Sequence, residues 1–144
     1  MTNPASELRA AATMLRAHAA AAAHDSGNSS WHASRYFPNQ PGVTFTALSA
    51  SDGGPFLRGG GGKGRPSAYV TAPVGDYIAL MEPAVGAALA DWLDAAARAH
   101  EAAVKAASGV WPEPHEAAER DAWITDQPAL TVARAILAPA TETS

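Results

Sequence analysis

The sequence predicts an α+β fold: an N-terminal alanine-rich helix, a small antiparallel β-sheet, then a long amphipathic helix and short C-terminal helices. Three observations carry that reading. Apolar residues recur at three- and four-residue steps toward both ends of the chain, aromatic and β-branched residues punctuated by glycine and proline fill the middle, and Pro83 restarts a helical segment.

The first helix is expected from about Pro4 to Ala23, with Leu8, Ala11 or Ala12, Leu15 and Ala19 on one side. Alanine favours the helix but buries little surface, so such a seam invites close packing, within the fold or against a second copy. His24-Asp25-Ser26-Gly27-Asn28 ends it. Between Trp31 and Thr71 the clearest strands are Val43 to Leu48 and Ser67 to Thr71, with Trp31 to Phe37 a weaker third ended by Pro38. Ser51-Asp52-Gly53-Gly54 is turn chemistry, which predicts a hairpin between Val43–Ser49 and Pro55–Arg58.

From Gly75 to Ala107 the chain reads as a short helix, a restart and a long helix. Pro83 has no amide hydrogen and a fixed φ, so it belongs in a first turn, and Glu82 beside it suits the positive helix end. Val85, Leu89, Trp92, Leu93, Ala96 and Val104 are expected on the packed face, with Glu101 and Lys105 as an i,i+4 pair. Ser108-Gly109 followed by Pro112 is a stop signal. Pro114 to Trp123 begins a short helix, and Ala129 to Ala138 reads as another with Leu130, Ala133, Ile136 and Leu137 inward.

Length favours one domain over residues 1–138, with a frayed tail from 139 to 144. Cysteine is absent, which removes disulfides, thiolate metal sites and cysteine nucleophiles and fits a reducing cytoplasm. The longest apolar tract, Ala17 to Ala23, is interrupted by His18 and is far short of the roughly 20 residues a membrane span needs. Glu7, Arg9 and Arg16 break up any secretory core.

The stretches ELRAAATMLRAHAA, DYIALMEPAVGAALADWLDAAA and PALTVARAILA resemble small hypothetical proteins encoded by actinomycetes and their phages. The middle stretch, a short helix followed by a proline-initiated one rich in Ala, Leu and acidic residues, is also similar to the Ead/Ea22-like family of phage accessory proteins. The resemblance covers the helices, about half the chain. It implies a phage or prophage accessory context, with host-interaction or counter-defence roles, and carries over no functional residue.

Charge adds an independent indication. From Trp31 to Gly75, Arg35, Arg58, Lys63 and Arg65 stand against Asp52 alone, a local +3 that leaves −7 for the rest of a chain of net charge −4. A basic middle admits an anionic ligand, whereas the overall acidity disfavours duplex nucleic acid. The loop Gly59 to Gly64 with Arg58, Lys63 and Arg65 offers amides and cations to a phosphate. It is not a Walker loop, because Leu57 stands where the first glycine belongs and Gly64 follows Lys63. The plainer reading is a flexible hairpin tip with solvated charges. Trp31 and Tyr36, with Phe37, are candidates for stacking on a base, although Trp31, Ala33 and Arg35 alternate in a strand with His32, Ser34 and Tyr36, so the two aromatics take opposite faces. His115 and Glu119 have i,i+4 spacing for a metal or general base, without an HExxH. His18, His24 and His100 are expected at surface or interface positions on alanine-rich helices.

The residues predict a non-enzymatic binding protein, homo-oligomeric, cofactor-free and away from membranes, and the resemblance implies that it acts in a phage or prophage setting on a host protein. Leu8, Leu15 and Trp92 are the interface candidates. The alternative is sequestration of an anionic small molecule such as a nucleotide signal by Arg35, Arg58, Lys63, Arg65, Trp31 and Tyr36, and the third reading is a metal-dependent hydrolase using His115 and Glu119.

Overall fold

The computed structural model describes residues 3–36, 39, 45–57, 60–62, 65–110, 119–121 and 123–138, with the backbone alone at 60–62 and 65–67. The described residues form an α+β chain with helices α1 (Pro4–Ser26), α2 (Ala72–Leu80), α3 (Pro83–Ala107) and α4 (Gln127–Leu137). The strands are β1 (Trp31–Arg35), β2 (Phe45–Ala50), β3 (Gly60–Gly62), β4 (Arg65–Ser67) and β5 (Val70–Thr71). Residues 119–121 and 123–124 are also helical, in the stretch where a short helix is expected, while 111–118 and the tail 139–144 lie outside the described residues. The chain divides into two compact units, Met1–Arg16 with Ala88–Ser144, and Ala17–Ala87.

The first unit is built on small residues. Asn3 caps α1, its side chain accepting from the Ala5 N–H at 3.0 Å, with Pro4 in the first turn. Ala5, Leu8, Ala11 and Ala12 are buried against Ala90, Leu93, Ala96 and Ala97 of α3 and Ala129 and Ala133 of α4. Along α3, Ala90, Leu93, Ala97, His100, Val104 and Ala107 fall at alternating steps of three and four, a narrow stripe in which alanine lets helix axes approach closely. Leu8 and Leu93 are the large side chains in that core, each fully buried and worth about 1.5–3 kcal/mol in transfer terms. Of the expected α3 face, Leu93 and Ala96 are buried, Val85, Leu89 and Val104 half-buried, and Trp92 stands 37% exposed.

Ion pairs flank this core. Arg9 binds Glu101 with both guanidinium arms, and Arg16 reaches Asp91 at 2.9 Å and Asp94 at 2.8 Å. Arg9 and Arg16 lie seven residues apart, as do Glu101 and Asp94 in reverse order, so the paired stretches run antiparallel. Arg134 ties α4 to Glu7 at 2.8 Å. Glu101 thus turns to Arg9, not to Lys105 as its spacing suggested, because the guanidinium fork offers two aligned donors. The α4 cap is likewise a side chain, Asp126 accepting from the Ala129 N–H at 3.0 Å. His100 belongs to the buried row, 5% exposed, with Nδ1 3.3 Å from Thr125 Oγ1, whereas His18 and His24 are exposed.

In the second unit β2 is the central strand of a three-stranded antiparallel sheet ordered β1-β2-β5. Trp31 pairs with Ala50 and Arg35 with Thr46, while Phe45 pairs with Thr71 and Thr46 with Val70. The anticipated hairpin is reduced to one bridge, Ser49 to Pro55, and the Phe56 N–H on the Leu48 carbonyl at 3.0 Å, on the edge of β2 that β5 shares, while β1 takes the other edge. The stretch expected as one strand from Ser67 to Thr71 is split between β4, which pairs with β3, and β5. Gly27, at φ 89°, ends α1 in the left-handed region that glycine enters without strain.

Candidate functional site: an open strand edge beside an apolar helix

Helix α2 packs on this sheet through the residue that lacks a side chain. A Cβ on Gly75 would fall 2.8 Å from Thr46 Cγ2 and 2.9 Å from Val70 Cγ2, so glycine sets the distance between helix and sheet. One residue on, Asp76 accepts two hydrogen bonds from Arg35 of β1, at 2.9 and 3.1 Å, and the same guanidinium donates to Thr46 Oγ1 at 2.7 Å. The hydrogen bond from Arg35 holds the Asp76 carboxyl below its ordinary range and, reciprocally, raises Arg35.

The far side of α2 is apolar and open. Tyr77 is 65% exposed and Leu80 67%, with Val74 and Met81 also exposed. Asp76 is the sole charged residue of α2, and it is the residue engaged by Arg35. Leu80 lies one turn beyond Asp76 and therefore on the flank of α2 that overlooks β1, with Tyr77 beside it.

Below that flank runs the outer edge of β1. The Tyr36 N–H binds the Phe45 carbonyl and the Ser51 N–H binds the Ser30 carbonyl, so the even-numbered residues of β1 pair with β2. The N–H and C=O groups of Trp31, Ala33 and Arg35 consequently point away from the sheet. Trp31 N–H is closed by Glu82, whose Oε2 accepts it at 2.8 Å and takes the Ser30 hydroxyl at 3.0 Å. No hydrogen bond among the described residues uses the backbone groups of Ala33 or Arg35 on that edge.

The residues singled out from sequence are placed as follows. Trp31 is a structural member of the sheet, its ring 4.8 Å from that of Phe56 and its Nε1–H donated to Ser26 Oγ at 2.8 Å. Tyr36 is half-buried on the opposite face, as the alternation requires. Arg35 is committed to Asp76 and Thr46. Arg58 and Lys63 lie outside the described residues, and Arg65 is described in its backbone, paired through β4 with Gly62. Leu8 is spent within the chain's own core and Leu15 packs against it, which leaves Trp92 as the exposed member of the interface set. His115 lies outside the described residues and Glu119 is exposed; no cluster of three metal-ligating side chains occurs among the described residues. No described helix is long and apolar enough to cross a membrane.

Sequence reasoning passed over Val74, Tyr77 and Leu80, although the signal was present: the segment from Ala72 to Met81 has apolar residues all round and Asp76 as its lone charge, more than one buried face requires. A search for known relatives returns nothing: no protein-family model, curated protein or solved structure matches the chain.

Proposed function

We propose that this chain is a non-catalytic binding protein that works by contacting another protein through the exposed apolar side of α2, in the phage or prophage accessory role its helices resemble. One observation carries the reading. Val74, Tyr77 and Leu80, with Met81 just beyond the helix end, stay open to solvent on a nine-residue helix whose opposite side is already packed on the sheet. Exposed aromatic and methionine side chains, as Tyr77 and Met81 are here, are enriched at protein interfaces. Of the cations in the anionic-ligand alternative, Arg35 is the one whose side chain is described, it is bound to Asp76, and no further observation favours that reading.

The test is capture from the natural host with tagged wild type and Leu80→Asp, both verified as folded by circular dichroism. A defined set of proteins retained by wild type and lost with Leu80→Asp supports the reading. The same set retained by both contradicts it.

A further inference from the structure

We infer that the junction between α2 and α3 guards the outer edge of β1 against the addition of another strand, by occupying the backbone groups at which such a strand would continue. The inference goes beyond the α2 contact and does not depend on it, since no side chain of the exposed α2 flank takes part.

The guard consists of one donor and one acceptor. The Ser29 carbonyl and the Trp31 N–H follow one another on the outer side of the chain. The Ala84 N–H donates to that carbonyl at 3.0 Å, and the Glu82 carboxylate accepts that N–H at 2.8 Å. A pairing strand would bring the same alternation of donor and acceptor, so the first turn of α3 takes the place of one. Both sides of the contact are fixed. Glu82 is the N-cap of α3, because Pro83 opens the helix and the Glu82 carbonyl takes the first helical hydrogen bond, from the Gly86 N–H at 3.1 Å. On the strand side the Ser30 hydroxyl donates to the same carboxylate oxygen at 3.0 Å, and the Trp31 indole is held by Ser26 Oγ at 2.8 Å.

The consequence is a short open edge. A strand laid along β1 that continues past Ala33 must set a carbonyl against the Trp31 N–H, where it meets the Glu82 carboxylate and its charge, and no choice of register avoids this. The outward groups of Ala33 and Arg35 remain. Hydrogen bonds at two residues, each exchanged for one to water, do not hold a second chain against the cost of association. Short strands and charge at the rim are general means of keeping sheet edges apart; here one glutamate supplies both.

In a purified sample the strand available for addition is the β1 edge of a second copy. Glu82→Ser retains a good N-cap while its side chain is too short to reach Trp31, and Glu82→Gln retains the reach and an acceptor oxygen. Both are checked for fold by circular dichroism and compared with wild type by sedimentation equilibrium and by backbone amide exchange at low and high protein concentration. In wild type the Trp31 amide is expected to exchange slowly, and the Ala33 and Arg35 amides fast at both concentrations. Glu82→Ser is expected to self-associate roughly tenfold or more tightly than wild type, with the Ala33 and Arg35 amides slowed at high concentration, while Glu82→Gln follows wild type. Ala33→Pro in the Glu82→Ser background removes an outward N–H without touching the β1–β2 ladder and is expected to reverse the gain.

Association of Glu82→Ser no tighter than that of wild type, or a gain that Ala33→Pro leaves in place, overturns the guard. The wild-type exchange pattern decides even where Glu82→Ser does not fold: fast exchange at Trp31, or slowing of Ala33 and Arg35 as concentration rises, overturns it as well.

Discussion

The Glu82 carboxylate accepts the backbone N–H of Trp31 at 2.8 Å, so the residue ahead of α3 closes the first rung of an edge strand 51 positions earlier in the chain. Ser30 adds its hydroxyl to the same oxygen at 3.0 Å, and the Ala84 N–H reaches the Ser29 carbonyl at 3.0 Å. Glu82→Ala leaves these partly buried donors unanswered and is expected to cost about 1–3 kcal/mol. Glu82→Gln keeps an acceptor oxygen and costs less. Urea unfolding of both variants checks the order; equal losses would place the effect in helix charge and not in the hydrogen bonds.

Gly75→Ala opposes two effects of known size. Alanine gains about 1 kcal/mol of helix propensity over glycine. Overpacking against Thr46 and Val70, 2.8 and 2.9 Å from the new methyl, costs typically 1–3 kcal/mol, because Thr46 is fully buried and has little room to retreat. A net loss of stability is expected on denaturant titration. A stabilised variant would mean that α2 is not held at this distance.

Leu8 separates core from interface. Fully buried among alanines that cannot expand to fill a void, it is expected to cost about 2–5 kcal/mol on Leu8→Ala. Trp92→Ala, at a part-exposed position, costs less. Thermal melts over a range of protein concentrations distinguish the roles: the Leu8 loss is independent of concentration.

Acid lowers stability through two exposed pairs. Hydrogen bonds from Arg35 and Arg9 hold Asp76 and Glu101 below their ordinary values of 3.8 and 4.5. A depressed carboxyl stabilises the fold fully above its unfolded value, and the contribution is lost as pH falls through 4.5 and 3.8 toward the folded values. The effect is small and shrinks in salt, since these side chains face water. Urea midpoints between pH 7 and pH 3 are expected to fall less steeply in Asp76→Asn than in wild type; parallel profiles would contradict the pair's role.

The fold was legible where one residue type decides a local conformation. Pro83 marks the start of α3 and Gly27 the end of α1, and the aromatic run ahead of Pro38 marks the place of β1. What stayed hidden depends on register between distant segments. The β1–β2 pairing joins strands across the interval from Tyr36 to Thr44, and the glycine turn after Ser51 made the neighbouring hairpin look the better partner. The Arg9–Glu101 and Arg16–Asp94 rungs become readable once α1 and α3 are known to run antiparallel there. The candidate surface escaped for a related reason: Gly75 reads simply as the start of the short helix until its contact with Thr46 shows which side of α2 is buried and leaves Tyr77 and Leu80 on the other.

Native mass spectrometry of the protein isolated from its own host, at low activation energy, tests the central claim most directly. Binding to protein predicts assemblies whose masses are sums of polypeptide chains, lost in Leu80→Asp. A monomer that carries a small-molecule adduct, released on denaturation and indifferent to Leu80→Asp, would contradict it.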